Sequence, residues 1–193
     1  MQPQAAAHVA ATSPGDVPVA GMSELFIEVA PGNEIFRVAD IALKAADVRP
    51  ALQIVEREFG LLEIHSHTQE EVLAAGQAVL EYLGLKQSDR VRPKVASTQI
   101  ITNVNPYQAQ LINKWRKGNL LLPSQSLFVL EASPAAYVCL AANEAEKSAN
   151  IDIIEVRAVG RFGRVFISGS EAEVETAREA AIAALEQLEG REG

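Results

Sequence analysis

The sequence predicts an α+β protein made of two tandem copies of one unit, ordered β-α-β-β-α-β. Two observations predict it: a repeat at fixed spacing, and the same order of strand-like and helical patterns within each copy. "ADIALKAADV" at 39–48 returns as "ANEAEKSANI" at 142–151, which places Lys44 on Lys147. At the same offset Glu28 meets Glu131, Pro31 meets Pro134, Phe59 meets Phe162, Gly60 meets Gly163 and Ile64 meets Ile167. After a one-residue slip Val72 meets Val174. A period of about 100 residues is too long for a solenoid unit and implies two folding units in tandem. The expected division is a flexible N-terminal extension over 1–21, a first domain with a connecting helix over 22–122, and a second domain over 123–193.

Taken in order, "ELFIEVAP" and "SLFVLEASP" are β-rich runs closed by Pro31 and Pro134, residues tolerated where a helix begins. Helices over Asn33–Asp47 and Ala135–Asn150 follow, with Ile35, Val38, Ala39 and Ala42 at helical spacing in the first. Next come paired runs, "PALQIVERE" with "FGLLEIHSH" and "IDIIEVRAV" with "FGRVFISGS", separated by glycine as in hairpins. Thr68 and Ser170 then stand three residues before Glu71 and Glu173, the spacing of a capping box opening a second helix. The first copy continues into "VASTQIITNV", a fourth strand, and "NPYQAQLINKWRKGN", a short helix ending near Gly118. The second copy stops after its second helix, so it lacks a clear last strand; the segment "DVPVAG" is one candidate to cover its exposed edge, and disorder of residues 1–15 is the other reading.

Bulk properties narrow the function. A formal net charge of -8 without any Lys/Arg-rich run disfavours nucleic acid as a partner. Cys139 is the single cysteine, which excludes an intrachain disulfide and suits a reducing cytoplasm. The apolar stretch "SLFVLEASPAAYVCLAA" is broken by Glu131 and Pro134 and does not span a membrane.

On the residues of this repeat, the chain resembles the bacterial microcompartment shell proteins, whose domain has this element order and a first helix ending like "ADIALKAADV". The resemblance covers most of residues 24–190 and implies the tandem-domain type, in which three chains form a pseudohexameric tile. It implies that Lys44 and Lys147 lie at the tile edge; helix dipoles favour a lysine at the same position without any such role. Family members also carry an arginine after the fourth strand, where this chain has Asn105 before Pro106. The resemblance further places the second-to-third-strand loops around a central pore for small metabolites: Glu56, Arg57, Glu58, Phe59 and Gly60 from one copy, Val159, Gly160, Arg161, Phe162 and Gly163 from the other. Gly160 and Gly163 would let Phe162 swing and gate that opening, although a hairpin needs glycine in any case. Some relatives hold an iron-sulfur cluster through a loop cysteine; Cys139 aligns with Phe36 inside a helix and reads as core, so no cofactor is expected.

Other chemistry is weaker. His65 and His67 share a strand face at a spacing that suits one metal, yet two ligands are too few, and both read as solvated strand-end residues. No nucleophile motif is present, and the glutamates of the last helix read as a solvated face, so the protein is not expected to be an enzyme. Leu111 and Trp115, four apart, are expected to anchor the connecting helix between domains. The alternative function is a tandem ferredoxin-like regulatory module binding a small effector between its domains. The preferred reading is a homotrimeric shell protein assembling with other shell proteins and passing small metabolites.

Overall fold

The computed structural model describes all 193 residues. Its order is α1 (Pro3–Thr12), β1 (Ser23–Val29), α2 (Glu34–Ala45), β2 (Arg49–Glu56), β3 (Phe59–Ser66), α3 (Gln69–Leu83), β4 (Lys94–Ile101), α4 (Pro106–Asn113), β5 (Ser126–Ser133), α5 (Tyr137–Ser148), β6 (Asp152–Arg157), β7 (Gly163–Gly169) and α6 (Glu171–Glu186). The strands form two antiparallel sheets, β1-β3-β2 and β4-β5-β7-β6. In each, a hairpin of the second and third repeat strands packs one face under two helices.

Alternation along the strands and a 3.6-residue period along the helices bring the same residue classes together twice. In the first domain Ile35, Val38 and Ala42 of α2 and Val72, Ala75 and Val79 of α3 meet Leu62 and Ile64 of β3. In the second, Val138, Ala142 and Ala145 of α5 and Val174, Ala177 and Ala181 of α6 meet Phe128, Leu130, Val165 and Ile167. A third cluster has no counterpart in the first domain. Val104, Ala109, Ile112 and Leu121, from α4 and its flanks, cover the opposite face of the second sheet at Leu127 and Ile154.

That cluster explains the main correction to the sequence reading. The fourth strand was expected in the first domain, leaving the second sheet one strand short. Instead β4 pairs antiparallel with β5, from Lys94 opposite Ser133 to Ile101 opposite Leu127. The second sheet is the complete one, and the first has three strands. A strand pairs where its side chains find cover: Val95 and Ile100 pack against the second core, and Ile101 against the cluster under α4. Residues 94–122 therefore pack with the second sheet, and the expected boundary at 122/123 does not separate the sheets.

Residues 1–21 are the second correction, because they are built into the fold and repeat the α4 segment. At the same offset, Gly21 N–H donates to Met1 O as Ser124 N–H donates to Val104 O. Gly15 and Asp16 donate to Ala51 O and Pro50 O, as Gly118 and Asn119 donate to Ile154 O and Ile153 O. The segment thus runs along β2 and does not complete the second sheet. Its helix α1 docks on the second domain, burying Ala5, Ala6 and His8.

Local signals held unevenly. The capping box at Ser170 forms, its hydroxyl accepting from Glu173 N–H while the Glu173 carboxylate accepts from Ser170 N–H at 3.0 Å. The box at Thr68 does not form, because Glu71 turns away to accept Asp47 N–H at 2.7 Å beyond the end of α2. Helices α2 and α5 stop at Ala45 and Ser148, two residues before the expected Asp47 and Asn150, where Ala46 and Ala149 turn extended.

Candidate functional site

The two hairpin loops expected at a pore lie about 100 residues apart in sequence and meet in one cleft of about 800 Å³ between the domains. On the first, Arg57 and Glu58 make a two-residue turn in which Arg57 adopts φ 57°. On the second, Gly160 adopts φ 91°, and the Glu56 side chain lies across from it, its Cγ 3.8 Å from where a Gly160 Cβ would stand. Arg161 holds its guanidinium 5.8 Å from the Phe162 ring centroid.

Of the ten loop residues singled out from sequence, Glu56, Arg57, Glu58, Phe59, Val159, Gly160, Arg161 and Phe162 line this cleft. Gly60 and Gly163 do not. Both are buried where β3 and β7 begin, pressed against the turn that opens the adjacent helix, so they are close-approach glycines rather than hinges. Within the second loop only Gly160 has a positive φ.

Behind the rim, the outward face of β1 supplies Glu24 and Phe26, α1 supplies His8, and β6 supplies Glu155 and Arg157. Burial, then the charge of Glu63, pushes the Glu24 carboxyl up to about 7. Burial lowers His8, which meets the Val156 backbone through Nε2 at 3.0 Å, and its Nδ1 has no partner. Cys139 was read as core but lines the cleft, half-buried; burial and then Glu24, Glu63 and Glu28 raise its thiol well above the ordinary value. Its repeat position, Phe36, is exposed, so helix periodicity alone misplaced it.

A buried polar chain that no sequence motif announces lies beside the cleft. His65 Nδ1 lies 3.2 Å from both Glu63 carboxyl oxygens and its Nε2 lies 3.2 Å from Asp16 Oδ1. His65 is 1% exposed, a correction to its reading as solvated, while His67 lies beyond the strand and is exposed. Nothing in the sequence joined Asp16 to His65, 49 positions away.

Trp115 anchors as expected, but to one domain: it packs edge-on to Phe166 at 4.9 Å, with Arg157 over its ring at 4.5 Å. Leu111 anchors nothing within the chain and is 62% exposed. Lys44 and Lys147 stand on the last turns of α2 and α5, paired with Asp40 and Glu144 at 2.6 Å. No three His, Cys, Asp or Glu side chains group as metal ligands, and no helix is long and apolar enough to cross a membrane.

The Glu24 carboxyl gives a testable pH dependence. A carboxyl held near 7 in the fold but near 4.5 when unfolded keeps its proton longer in the native state, so its contribution to stability falls as pH rises through 7. The loss is about 2–3 kcal/mol between pH 5 and pH 8. Glu24→Gln is expected to remove that component, raising the thermal midpoint at pH 8 and leaving it little changed at pH 5. An equal shift at both values would show that Glu24 ionises normally.

Comparison with known proteins agrees with the geometry. The family "CsoS1D N-terminal domain" matches residues 1–89, and "BMC domain" matches residues 126–191. The carboxysome shell protein CcmP of Synechococcus elongatus is 50% identical over 192 residues, covering 100% of this chain and 90% of that protein. The carboxysome shell protein CsoS1D of Hydrogenovibrio crunogenus is 47% identical over 189 residues, covering 97% of this chain and 92% of that one. Among solved structures, the fused permuted hexameric shell protein MSM0275 from the RMM microcompartment has a TM-score of 0.95 at 43% identity, covering 100% of this chain and 95% of that one. The double ringed trimeric shell protein MSM0271 from the same compartment has a TM-score of 0.96 at 40% identity, covering 100% and 94%. The chain belongs to the bacterial microcompartment shell proteins, in the branch with two fused BMC domains. Its role is structural, in the shell of a microcompartment, and not enzymatic.

Proposed function

We propose that three chains close into a pseudohexameric tile whose central opening passes small metabolites, with Glu56–Phe59 and Val159–Phe162 at the rim. The observation that carries this reading is the meeting of both hairpin loops at one cleft, Glu56 against Gly160. Three chains alternate the two loops around an axis, so each charged side chain becomes a ring of three. Arg57 and Arg161 are exposed on that rim, and Lys44 and Lys147 face the outer edge, where neighbouring tiles and other shell proteins meet.

The test is the absolute mass of the purified protein by light scattering, with electron micrographs of concentrated samples. A mass three or six times the 20.7 kDa chain, with flat sheets or tiles, supports the reading. A monomer or dimer without assembly overturns it. With the ring in place, Arg57→Glu with Arg161→Glu is expected to leave the mass unchanged and lower anion selectivity severalfold in planar-bilayer current measurements. Unchanged selectivity would move the pore away from these loops.

A further inference from the structure

Within the chain, the first domain grips the second through a surface that the repeat presents a second time. The α1 helix lies against α5 and β6: Gln2 N–H donates to Asn143 Oδ1 at 2.9 Å, and Gln4 and Ala5 N–H donate to the Glu146 carboxylate at 2.8 and 3.0 Å. Further along, His8 meets Val156, and from β1 the Glu28 carboxylate accepts Ala136 N–H at 2.7 Å at the start of α5.

Moved by one repeat, both halves of this contact are bare. Gln4 and His8 become Tyr107 and Leu111 of α4, 79% and 62% exposed. Opposite them, Cys139 and Glu146 of α5 become Phe36 and Leu43 of α2, 56% and 40% exposed. Glu28 becomes Glu131, and Ala136 becomes Asn33. The replacements are coordinated. Where the covered contact sets Gln4 and His8 against a helix bearing Glu146, the bare one sets Tyr107 and Leu111 against a helix bearing Phe36 and Leu43. At these four positions polar or small side chains have given way to large apolar ones on both sides, while Gln2 and Asn143 become Asn105 and Asp40 and stay polar.

We infer that the occupant of each bare surface is a second copy of this chain: α4 docks on the partner's α2 and β2, with Tyr107 and Leu111 against the partner's Phe36 and Leu43. Glu131, which already accepts from Ser97 Oγ at 2.9 Å and from Arg164, has lone pairs left to accept the amide of the partner's Asn33. The contact is head-to-tail, and because it repeats the intrachain geometry each step turns the ring by the same angle. The chemistry fits the task. A contact inside one chain is held by covalent connection, whereas one between chains must overcome lost translational freedom and does so by burying apolar surface.

This inference rests on the trimeric reading and adds the residues that make the joint. Leu111→Asp with Tyr107→Asp on α4, and separately Phe36→Asp with Leu43→Asp on α2, are expected to convert the assembly into folded monomers of 20.7 kDa, with circular dichroism unchanged. If the unaltered protein is not trimeric, the ring itself fails. If it is trimeric and both variants remain so, the ring stands and this joint is wrong. Should either variant unfold, Tyr107→Cys with Leu43→Cys in one chain decides under oxidation: covalent dimers and trimers support the joint, and only uncrosslinked chains from an intact trimer overturn it.

Discussion

Gly163→Ala is expected to lower the thermal midpoint by roughly 10 °C, the largest single effect in the second domain, through about 3 kcal/mol of lost stability. A Cβ at Gly163 would overlap the Ala135 carbonyl oxygen and stand 2.8 Å from Val138 Cγ2. Neither neighbour can yield. Ala135 belongs to the turn that opens α5, Val138 is fully buried in the core, and Gly163 is held in register opposite Ala132. Gly60→Ala is expected to do the same in the first domain, where the Cβ would meet the Gly32 carbonyl oxygen and stand 2.7 Å from Ile35 Cβ. Gly160→Ala is the control: its Cβ would make only an ordinary contact with the Glu56 side chain, and it has chiefly its φ of 91° to lose, costing about 1 kcal/mol. Differential scanning calorimetry separates the three. A Gly163 variant melting no lower than the Gly160 variant would mean that the start of α5 can retreat.

His65→Leu is the second large effect, about 3 kcal/mol at neutral pH. Glu63 is completely buried, and its partners are His65 and the Ala51 N–H at 3.0 Å. Burial raises the Glu63 carboxyl, and His65 is the main influence holding it down. With the imidazole gone, that carboxyl rises further. A carboxyl whose folded value exceeds its unfolded one subtracts stability as pH climbs through the folded value, so the deficit of the variant should widen toward alkaline pH and narrow near pH 5. Urea unfolding at several pH values reads this directly, and a pH-independent deficit would reduce His65 to a packing residue. Because His65 also meets Asp16, amide exchange at Gly15 and Asp16, which bond β2, should quicken in the variant. Unchanged exchange there would mean that Arg49, 3.2 Å from Asp16, suffices to hold the segment.

Much of the site was legible because hairpin loops are local. Glu56–Phe59 and Val159–Phe162 follow from strand alternation and glycine placement within about a dozen residues each. The groups behind them were not, since Glu24, His8, Cys139 and Arg157 come from four elements that approach only when the domains dock. Even a clear local signal can be outbid: Thr68 and Glu71 have capping-box spacing, but the Asp47 N–H offers Glu71 a better-placed donor across the domain.

The sequence by itself determined the two-fold repeat, the type and order of nearly every element, and the apolar faces of α2, α3, α5 and α6, because these depend on period and on neighbours a few residues away. Tertiary structure decided which sheet receives β4 and where residues 1–21 go. Lys94–Ile101 reads as a strand anywhere, and both β1 and β5 offer it an edge. The choice falls to β5 because Ala109 and Ile112, a few residues further on, find cover only over Leu127 and Ile154. In the N-terminal segment, small residues such as Ala5 and Ala6 carry no pattern strong enough to announce a helix, and the burial of Ala5 in the core of the second domain supplies what local propensity does not.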